Sequence, residues 1–255
     1  MKKEEKFIIL IPSSGSLSKD SVKLMKNSNL SIKKDSDRKL TGILDNSSYP
    51  NVEVIFQRSG DIPLNIDRGM GHMGITGQDR YLEHCEGSSK SRIYGQGLKF
   101  GASELVVAVP DSWVDVTTLS DLIDIGFEFK RKSRSLRLAT KYPRLVRRKL
   151  EEFGLTNIML VTASGGLEAA PVLGYADIIA DITVTGNTIR ENNLRPLEDG
   201  ILFKSEATLI VSQELPKNLN IICEKLARII DTTACLLYTS PSPRDQRGSR
   251  MPSSA

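Results

Sequence analysis

The stretch from Asp181 to Ile189 carries the residues best suited to chemistry on a phosphorylated substrate. It reads Asp-Ile-Thr-Val-Thr-Gly-Asn-Thr-Ile and joins a predicted strand to a predicted helix. Gly186 can adopt a positive φ angle and leave room for an oxyanion. The hydroxyls of Thr185 and Thr188 and the free N–H groups of a helix N-terminus can donate hydrogen bonds to it. The segment therefore predicts a phosphate cradle, and a plain Thr-Gly turn with a threonine cap is the alternative.

Two carboxylates come with this cradle. Asp177 and Asp181 stand at the start and near the end of the strand that leads into it. Carboxylates in such a position could hold ribose hydroxyls or a hydrated Mg²⁺.

Two other predicted strand-to-helix connections have a similar composition. The first, Pro12–Ser18, contains Ser14, Gly15 and Ser16, and the second runs from Gly74 through Gly77 to Asp79. Ligands of open α/β sheets bind at connections of this kind. Each is also compatible with an ordinary turn and helix cap.

Short apolar runs alternate with helical patterns along the chain, which is typical of α/β folds. They predict the strands and helices that position these loops. The predicted strands are 7–12, 52–56, 73–76, 104–110, 136–140, 157–162, 177–182 and 202–211. Predicted helices are 18–26 with Ser18 as its cap, one opening with Asp61 as N-cap, 117–125, 143–153, 166–173, one starting at 188, and 219–230.

Composition narrows the function classes. The chain has 255 residues, 26% of them charged and 5% aromatic, with a formal net charge of +4 that lies partly in the tail 232–255. Nucleic acid is therefore not an expected partner. Three cysteines without CxxC spacing disfavour a disulfide framework and a zinc site. No apolar run is long enough for a signal peptide or a membrane span, so we expect a cytoplasmic protein without a membrane partner.

The tail 232–255 differs from the rest of the chain. At residue 232 an amphipathic helical pattern breaks into Ser/Pro/Arg-rich sequence without periodicity. It resembles translated adapter or vector sequence, so it is left out of the fold prediction.

The order and spacing of these pieces resemble one known family. The segment Glu168–Thr188, with Gly174, Ala176 and Asp181 in place, is similar to the signature of the ATP phosphoribosyltransferases. Further similar segments follow in the family's order: 61–63, 74–79, 100–101, 109–110, 139–143 and 190–193. The resemblance covers residues 6–231 and is greatest to the plant-type, long-form branch, although Met1 leads directly to the first strand without a transit peptide.

The resemblance implies a two-lobed α/β fold like that of the type II periplasmic binding proteins, with mainly parallel sheets and an active-site cleft between the lobes. Lobe I would comprise residues 1–107 and 196–231, and lobe II residues 108–195. It also implies an oligomer, a dimer or a larger homo-oligomer.

The implied activity is Mg²⁺-dependent transfer of the phosphoribosyl group from phosphoribosyl pyrophosphate to N1 of ATP, the first step of histidine biosynthesis. The implied catalytic residues are Asp181, Asp79 and Arg58. The residues implied to bind phosphoribosyl pyrophosphate are Asp177, Asp181, Thr183, Thr185, Gly186, Asn187 and Thr188. Those implied for the nucleotide are Ser14, Gly15, Ser16, Gly77 and Glu168, and the pyrophosphate itself is expected to hold most of the Mg²⁺ coordination.

Two departures from the family keep a second hypothesis open. The family's first loop usually carries Lys-Gly-Arg or Ser-Gly-Arg, whereas this chain has Ser14-Gly15-Ser16. Replacing an arginine by serine removes a bidentate phosphate partner, worth about 1–3 kcal/mol. The sequence also breaks off before the regulatory domain of long-form members, so feedback inhibition is not expected. The alternative is a non-catalytic phosphate- or nucleotide-binding module on the same fold.

Overall fold

The computed structural model describes residues 6–227, apart from 37, 47, 50, 86–88, 96, 164, 217 and 218. Within these residues the strands form two separate sheets. The strands in chain order are β1 Phe7–Pro12, β2 Ile32–Lys33, β3 Thr41–Leu44, β4 Val52–Gln57, β5 Met73–Gly77, β6 Ser91–Ile93, β7 Ser103–Pro110, β8 Leu136–Thr140, β9 Ile158–Thr162, β10 Ile178–Thr183, β11 Leu194–Ser205 and β12 Ala207–Ser212.

The helices in chain order connect these strands and cover both sheets. They are α1 Gly15–Asn27, α2 Asp61–Asp67, α3 Gln78–His84, α4 Leu119–Arg131, α5 Pro143–Glu152, a 3₁₀ turn Leu167–Ala169, α6 Ala170–Leu173 and α7 Asn187–Glu191. Residues 219–227 are also helical. No helix in the described part of the chain is long and apolar enough to cross a membrane.

Each sheet has its own hydrophobic core. The first sheet has the order β2-β3-β4-β1-β5-β12-β6, and the second has the order β11-β7-β10-β8-β9. Buried side chains of β1, β4, β5 and β12 pack with Leu219, Ile222 and Leu226 of the last described helix. Those of β7, β8 and β10 pack with α4 and α5. The two-lobed α/β organisation is therefore confirmed.

The sheets are mixed, so the expectation of mainly parallel pairing is wrong. β1 runs parallel to β4 and β5, and β8 runs parallel to β9 and β10. β7 is antiparallel to β10 and β11, and β12 is antiparallel to β5 and β6. β2–β3 and β3–β4 are antiparallel as well. Antiparallel neighbours, unlike parallel ones, need no crossover helix between them.

One predicted strand, 202–211, is two strands in two sheets. β11 ends at Ser205 in the second sheet and β12 starts at Ala207 in the first. Sheet membership assigns residues 103–205 to the second lobe, so the lobe boundaries inferred at 107/108 and 195/196 fall inside β7 and β11. The division into lobes stays a proposal. In its revised form, the chain changes lobe between β6 and β7 and again at residue 206.

Helix starts also differ from prediction. α1 begins at Gly15, three residues before Ser18, and Ser14 is its N-cap residue with extended backbone (φ −150°, ψ 166°). Asp61 is the first residue of α2 rather than its cap, which is Gly60. The predicted strands 7–12 and 136–140 have the observed bounds, and α5 starts at the predicted Pro143. β2 and β3 were not predicted.

Candidate active site

The carboxyl ends of three parallel strands meet at one edge of the second sheet. In the register, Ala180 of β10 pairs with Thr140 of β8, which in turn pairs with Thr162 of β9. The loops that follow these strands therefore open at the same edge, which is where α/β proteins bind ligands. The cradle predicted from the sequence is the loop that follows β10.

The cradle has a shape fixed by its own hydrogen bonds. The Gly186 N–H donates to Thr183 Oγ1 at 2.7 Å, and the Asn187 N–H donates to Thr185 Oγ1 at 3.4 Å. Gly186 has φ 72°, a left-handed conformation that favours glycine. The Arg190 guanidinium closes the far side by donating to Thr185 O and Asn187 Oδ1, each at 3.2 Å.

Three polar side chains of the cradle face solvent. Thr185, Asn187 and Thr188 are exposed. A threonine hydroxyl that accepts one hydrogen bond still has its own hydrogen to donate. Thr183, Thr185 and Thr188 can therefore all donate to an oxyanion bound in the cradle.

Asp181 lies on β10 beside this loop and is buried. Lys141, directly after β8, donates to Asp181 Oδ2 at 3.2 Å, and the Ile182 N–H donates to Oδ1 at 2.8 Å. Burial raises the pKa of Asp181 above its ordinary value, the Lys141 charge opposes this, and the nearby Glu168 carboxylate adds to the rise. Asp181, Glu168 and Lys141 thus form one charged group at the edge of the sheet.

Asp177 is not part of this group. It precedes β10 at the opposite, amino edge of the sheet, where its carboxylate accepts hydrogen bonds from the Arg137 N–H at 2.8 Å and Nη2 at 3.0 Å and from Arg134 Nη2 at 3.3 Å. A strand advances about 3.3 Å per residue, so Asp177 lies about 13 Å along the strand from Asp181. The structure does not bring Asp177 to the cradle.

Asp79 is the central polar residue on the first lobe. It lies in the first turn of α3, directly after β5, and its Oδ1 accepts a hydrogen bond from Ser205 Oγ at 2.7 Å. The Asp79 N–H donates back to Ser205 Oγ at 3.1 Å. Gly77 lets the carboxylate fold back, because a Cβ on Gly77 would collide with Asp79 Oδ1.

Tyr142 connects Asp79 with the second lobe. Burial raises the pKa of its phenol strongly, and the charge of Asp79, a side-chain hydrogen bond with Asp79 and the charge of Asp181 raise it further, against the Arg80 charge. Asp79 and Asp181 therefore both act on one side chain. The structure brings these two predicted site residues from different lobes into the same region.

Ser14, Gly15, Ser16 and Arg58 lie at the carboxyl edge of the first sheet. The Ser13 N–H donates to Gln57 O at 2.8 Å, which joins the ends of β1 and β4. Ser14, Gly15, Ser16 and Arg58 are exposed. No ion pair of the Arg58 side chain occurs within the described residues. These residues share an edge with Gly77, but no hydrogen bond joins them to the cradle in the part of the chain described.

The donors at the site fit Mg²⁺ bound together with a substrate. Among the described residues, no three His, Cys, Asp or Glu side chains group as a metal cage. Mg²⁺ in phosphate-transferring sites is held by one or two carboxylates and by substrate phosphates. Asp181 and Glu168, which interact electrostatically, are the carboxylates that could fill this role.

Sequence reasoning missed Lys141, Tyr142 and Ser205. Lys141 directly follows the predicted strand 136–140, which is β8. The cradle likewise follows β10, so both lie at the carboxyl end of a strand. That placement was the available signal for Lys141. Tyr142 and Ser205 join the site through contacts with Asp79, which is distant in sequence, and no local pattern marks them.

Comparison with solved structures places the fold. The ATP phosphoribosyl transferase (HisG:HisZ) complex from Thermotoga maritima matches with a TM-score of 0.61 and 23% identity, covering 89% of this chain and 99% of that one. The alkanesulfonate-binding protein SsuA from Xanthomonas axonopodis pv. citri matches with a TM-score of 0.53 and 16% identity, covering 97% of this chain and 78% of that one. Two α/β lobes with polar strand-end loops make this a protein of the type II periplasmic-binding-protein fold.

Comparison of sequences then gives the family. Residues 58–232 match the family described as HisG, ATP phosphoribosyltransferase. The ATP phosphoribosyltransferase of Rhodopseudomonas palustris strain BisA53 is 36% identical over 210 residues, which are 82% of this chain and 64% of that protein. The chain belongs to the ATP phosphoribosyltransferase family, as the resemblance predicted. The match spans 64% of the length of these curated relatives, which is less than two thirds.

Proposed function

We propose that the chain catalyses the Mg²⁺-dependent transfer of the phosphoribosyl group from phosphoribosyl pyrophosphate to N1 of ATP, which releases pyrophosphate and is the first step of histidine biosynthesis. The observation that carries this proposal is the cradle after β10, with the buried Asp181–Lys141 pair at 3.2 Å beside it. An oxyanion site next to a carboxylate suits a sugar that carries both a phosphate and hydroxyl groups.

In this proposal the cradle binds the 5′-phosphate of the ribose. The hydroxyls of Thr183, Thr185 and Thr188 and the amide of Asn187 donate to the phosphate oxygens, since each is present at the exposed loop. Asp181 accepts hydrogen bonds from the ribose hydroxyls, and the charge of Lys141 opposes the rise in the Asp181 pKa that burial causes.

The reaction needs orientation more than a covalent nucleophile. The adenine N1 lone pair displaces pyrophosphate at the anomeric carbon, so the two substrates must be aligned and the leaving group must be stabilised. Asp79, Gly77 and Arg58 at the first sheet would face the nucleotide and the pyrophosphate. Mg²⁺, held by Asp181, Glu168 and the pyrophosphate oxygens, would neutralise the charge that develops on the leaving group.

The test uses the full chain with ATP, phosphoribosyl pyrophosphate and Mg²⁺, and follows the near-ultraviolet change that accompanies alkylation of adenine at N1. Thr185→Ala combined with Thr188→Ala is the inactivating variant, and Thr41→Ala, an exposed threonine on β3 of the other sheet, is the matched control. Turnover that persists in Thr41→Ala and is lost in the double variant supports the proposal. Turnover that survives in the double variant refutes the assignment of the cradle.

A non-catalytic binding module is the second candidate, because Ser16 is exposed where the family usually has arginine. It predicts that phosphoribosyl pyrophosphate binds, with loss of binding in the double variant, while no product forms. Binding by calorimetry beside the turnover assay separates the two functions.

We also propose that the protein assembles with copies of itself and acts in the cytoplasm, where its two substrates are made. Light scattering after size-exclusion chromatography tests the assembly, and a mass equal to one chain at all concentrations contradicts it.

A further inference from the structure

Helix α3 belongs to the first lobe, yet its side chains reach into the second. Leu82 packs both against the first-lobe cluster that contains Leu10 and Ile62 and against the core of the second lobe. The Arg80 guanidinium lies over the Tyr142 ring, 4.7 Å from its centroid. α3 therefore contacts both lobes.

Helix α5, which receives these contacts, begins without a cap of its own. Tyr142 is its N-cap residue and its side chain accepts no hydrogen bond from the helix. Pro143 follows and has no N–H group, so the N–H groups of Arg144 and Leu145 are the first that need an acceptor.

Glu83 of α3 supplies that acceptor from the other lobe. Its Oε2 accepts from the Leu145 N–H at 2.9 Å and from the Arg144 N–H at 3.1 Å, and its Oε1 lies 3.2 Å from the Arg144 N. The side chain is buried, with 5% of the residue exposed. A carboxylate is favourable at a helix N-terminus, where the helix dipole is positive. Glu83 and the start of α5 are more than 60 residues apart in sequence and lie in different lobes. The cap therefore exists only when the lobes are in contact.

The capped segment carries Lys141. Lys141 lies immediately before Tyr142 and donates to Asp181 Oδ2 at 3.2 Å, while the Tyr142 N–H donates to Thr140 Oγ1 at 3.0 Å. The start of α5 therefore fixes the direction in which the chain leaves β8 and the position of the Lys141 side chain. Without the carboxylate of Glu83, the buried N–H group of Leu145 and the part-buried N–H group of Arg144 lose their acceptor.

We propose that Glu83 is a positioning residue: by capping α5 across the lobe interface, it holds Lys141 on Asp181 and so couples lobe contact to the order of the phosphoribosyl site. The functional part of this proposal rests on the proposed function, whereas its structural part does not. Glu83 itself touches neither substrate; it acts through the start of α5.

The first test is amide hydrogen exchange on the full chain without substrates. We expect Glu83→Ala to speed exchange about tenfold in both segments, 141–146 and 181–186, because loss of a hydrogen bond to a charged group is worth about this factor. Glu83→Gln, which keeps one acceptor oxygen, should restore most of the protection. Glu151→Ala, an exposed glutamate at the other end of α5, is the matched control and should leave exchange unchanged. Unchanged exchange in Glu83→Ala, or faster exchange confined to 143–146, overturns the proposal.

The second test compares the effect of the substitution on the KM values for the two substrates. Glu83→Ala should raise the KM for phosphoribosyl pyrophosphate about tenfold while the KM for ATP changes less than about twofold, with rescue by Glu83→Gln. Equal changes in both KM values overturn the positioning role. If the wild-type chain shows no turnover, the proposed function fails on its own, and the exchange of segments 141–146 and 181–186 still decides the structural claim. If Glu83→Ala fails to fold, Glu83→Asp, whose shorter side chain withdraws the acceptor from the Arg144 and Leu145 N–H groups, takes its place in both measurements.

Discussion

Replacing Asp177 by asparagine tests the distinction between the two edges of the second sheet. The Asp177 carboxylate accepts hydrogen bonds from the Arg137 backbone and guanidinium and from Arg134. Asparagine keeps one acceptor oxygen and turns an NH₂ group toward the guanidinium groups. We expect a loss of stability with unchanged affinity for phosphoribosyl pyrophosphate, because Asp177 lies at the amino edge and the cradle lies at the carboxyl edge.

The size of this loss follows from the partners. A hydrogen bond to a charged group contributes about 1.5–3 kcal/mol. Water screens part of this at Arg134 and Arg137, whose side chains are 57% and 31% exposed, while the Asp177 side chain is 11% exposed. About 2 kcal/mol remains, and for a domain of this size that lowers the melting temperature by roughly 4–8 °C.

The loss depends on pH in a defined direction. Burial alone raises the pKa of Asp177, but the hydrogen bonds and charges of Arg137 and Arg134 outweigh it and hold the pKa below the ordinary value of 3.8. Such a group stabilises the fold above pH 3.8, and this stabilisation disappears as the pH falls through the folded-state pKa. Urea-denaturation midpoints of wild type and variant, measured downward from about pH 7, should therefore converge in acid. A pH-independent difference, or a weaker affinity for phosphoribosyl pyrophosphate, refutes the reasoning.

Three further substitutions have expected outcomes. Asp181→Asn should abolish turnover but keep or raise the melting temperature near pH 7. Burial raises the Asp181 pKa, so the ionised carboxylate opposes folding above pH 3.8. Any difference in stability between variant and wild type should therefore vanish below pH 3.8. Ser16→Arg should increase kcat/KM for ATP about tenfold by supplying a cation at the first sheet, and steady-state kinetics would show an unchanged value if the site works without one. Gly77→Ala should cost about 1–3 kcal/mol in denaturant unfolding because its Cβ meets Asp79. Gly60→Ala, whose nearest neighbour is 3.8 Å away, should cost clearly less.

Elements with strong local patterns were predictable from the sequence. β8 is a short apolar run that stops before Lys141, and α5 is bounded by Pro143 at its first residue and by Gly154 after its end, which has φ 81°. The cradle was recognisable for the same reason, because Gly186 and the neighbouring threonines are contiguous. Local patterns of this kind depend on residues within one helical turn or a few strand positions.

Features that depend on distant residues were not predictable. Asp177 and Asp181 are four residues apart on extended backbone, which places them about 13 Å from each other. The sequence also does not reveal that Arg137 donates hydrogen bonds to the Asp177 carboxylate. The continuous pattern 202–211 hides a change of sheet at Glu206, since alternation of apolar residues is the same in either sheet. β2 and β3 have only two and four residues, too few for a clear local pattern; β3 pairs with the edge of β4, and β2 pairs with β3.

The passage at residue 206 has a consequence for how the protein is made. β12, which fills the place between β5 and β6, is the last strand in the described part of the chain. All strands of the second sheet are synthesised before it, so that lobe can complete its fold as an uninterrupted insert while β5 still has an open edge. The sheet of the first lobe is complete only when β12 has been synthesised. During synthesis, the lobe that begins first is therefore the lobe that finishes last, and its exposed β5 edge is the part of the nascent chain most open to wrong strand pairing.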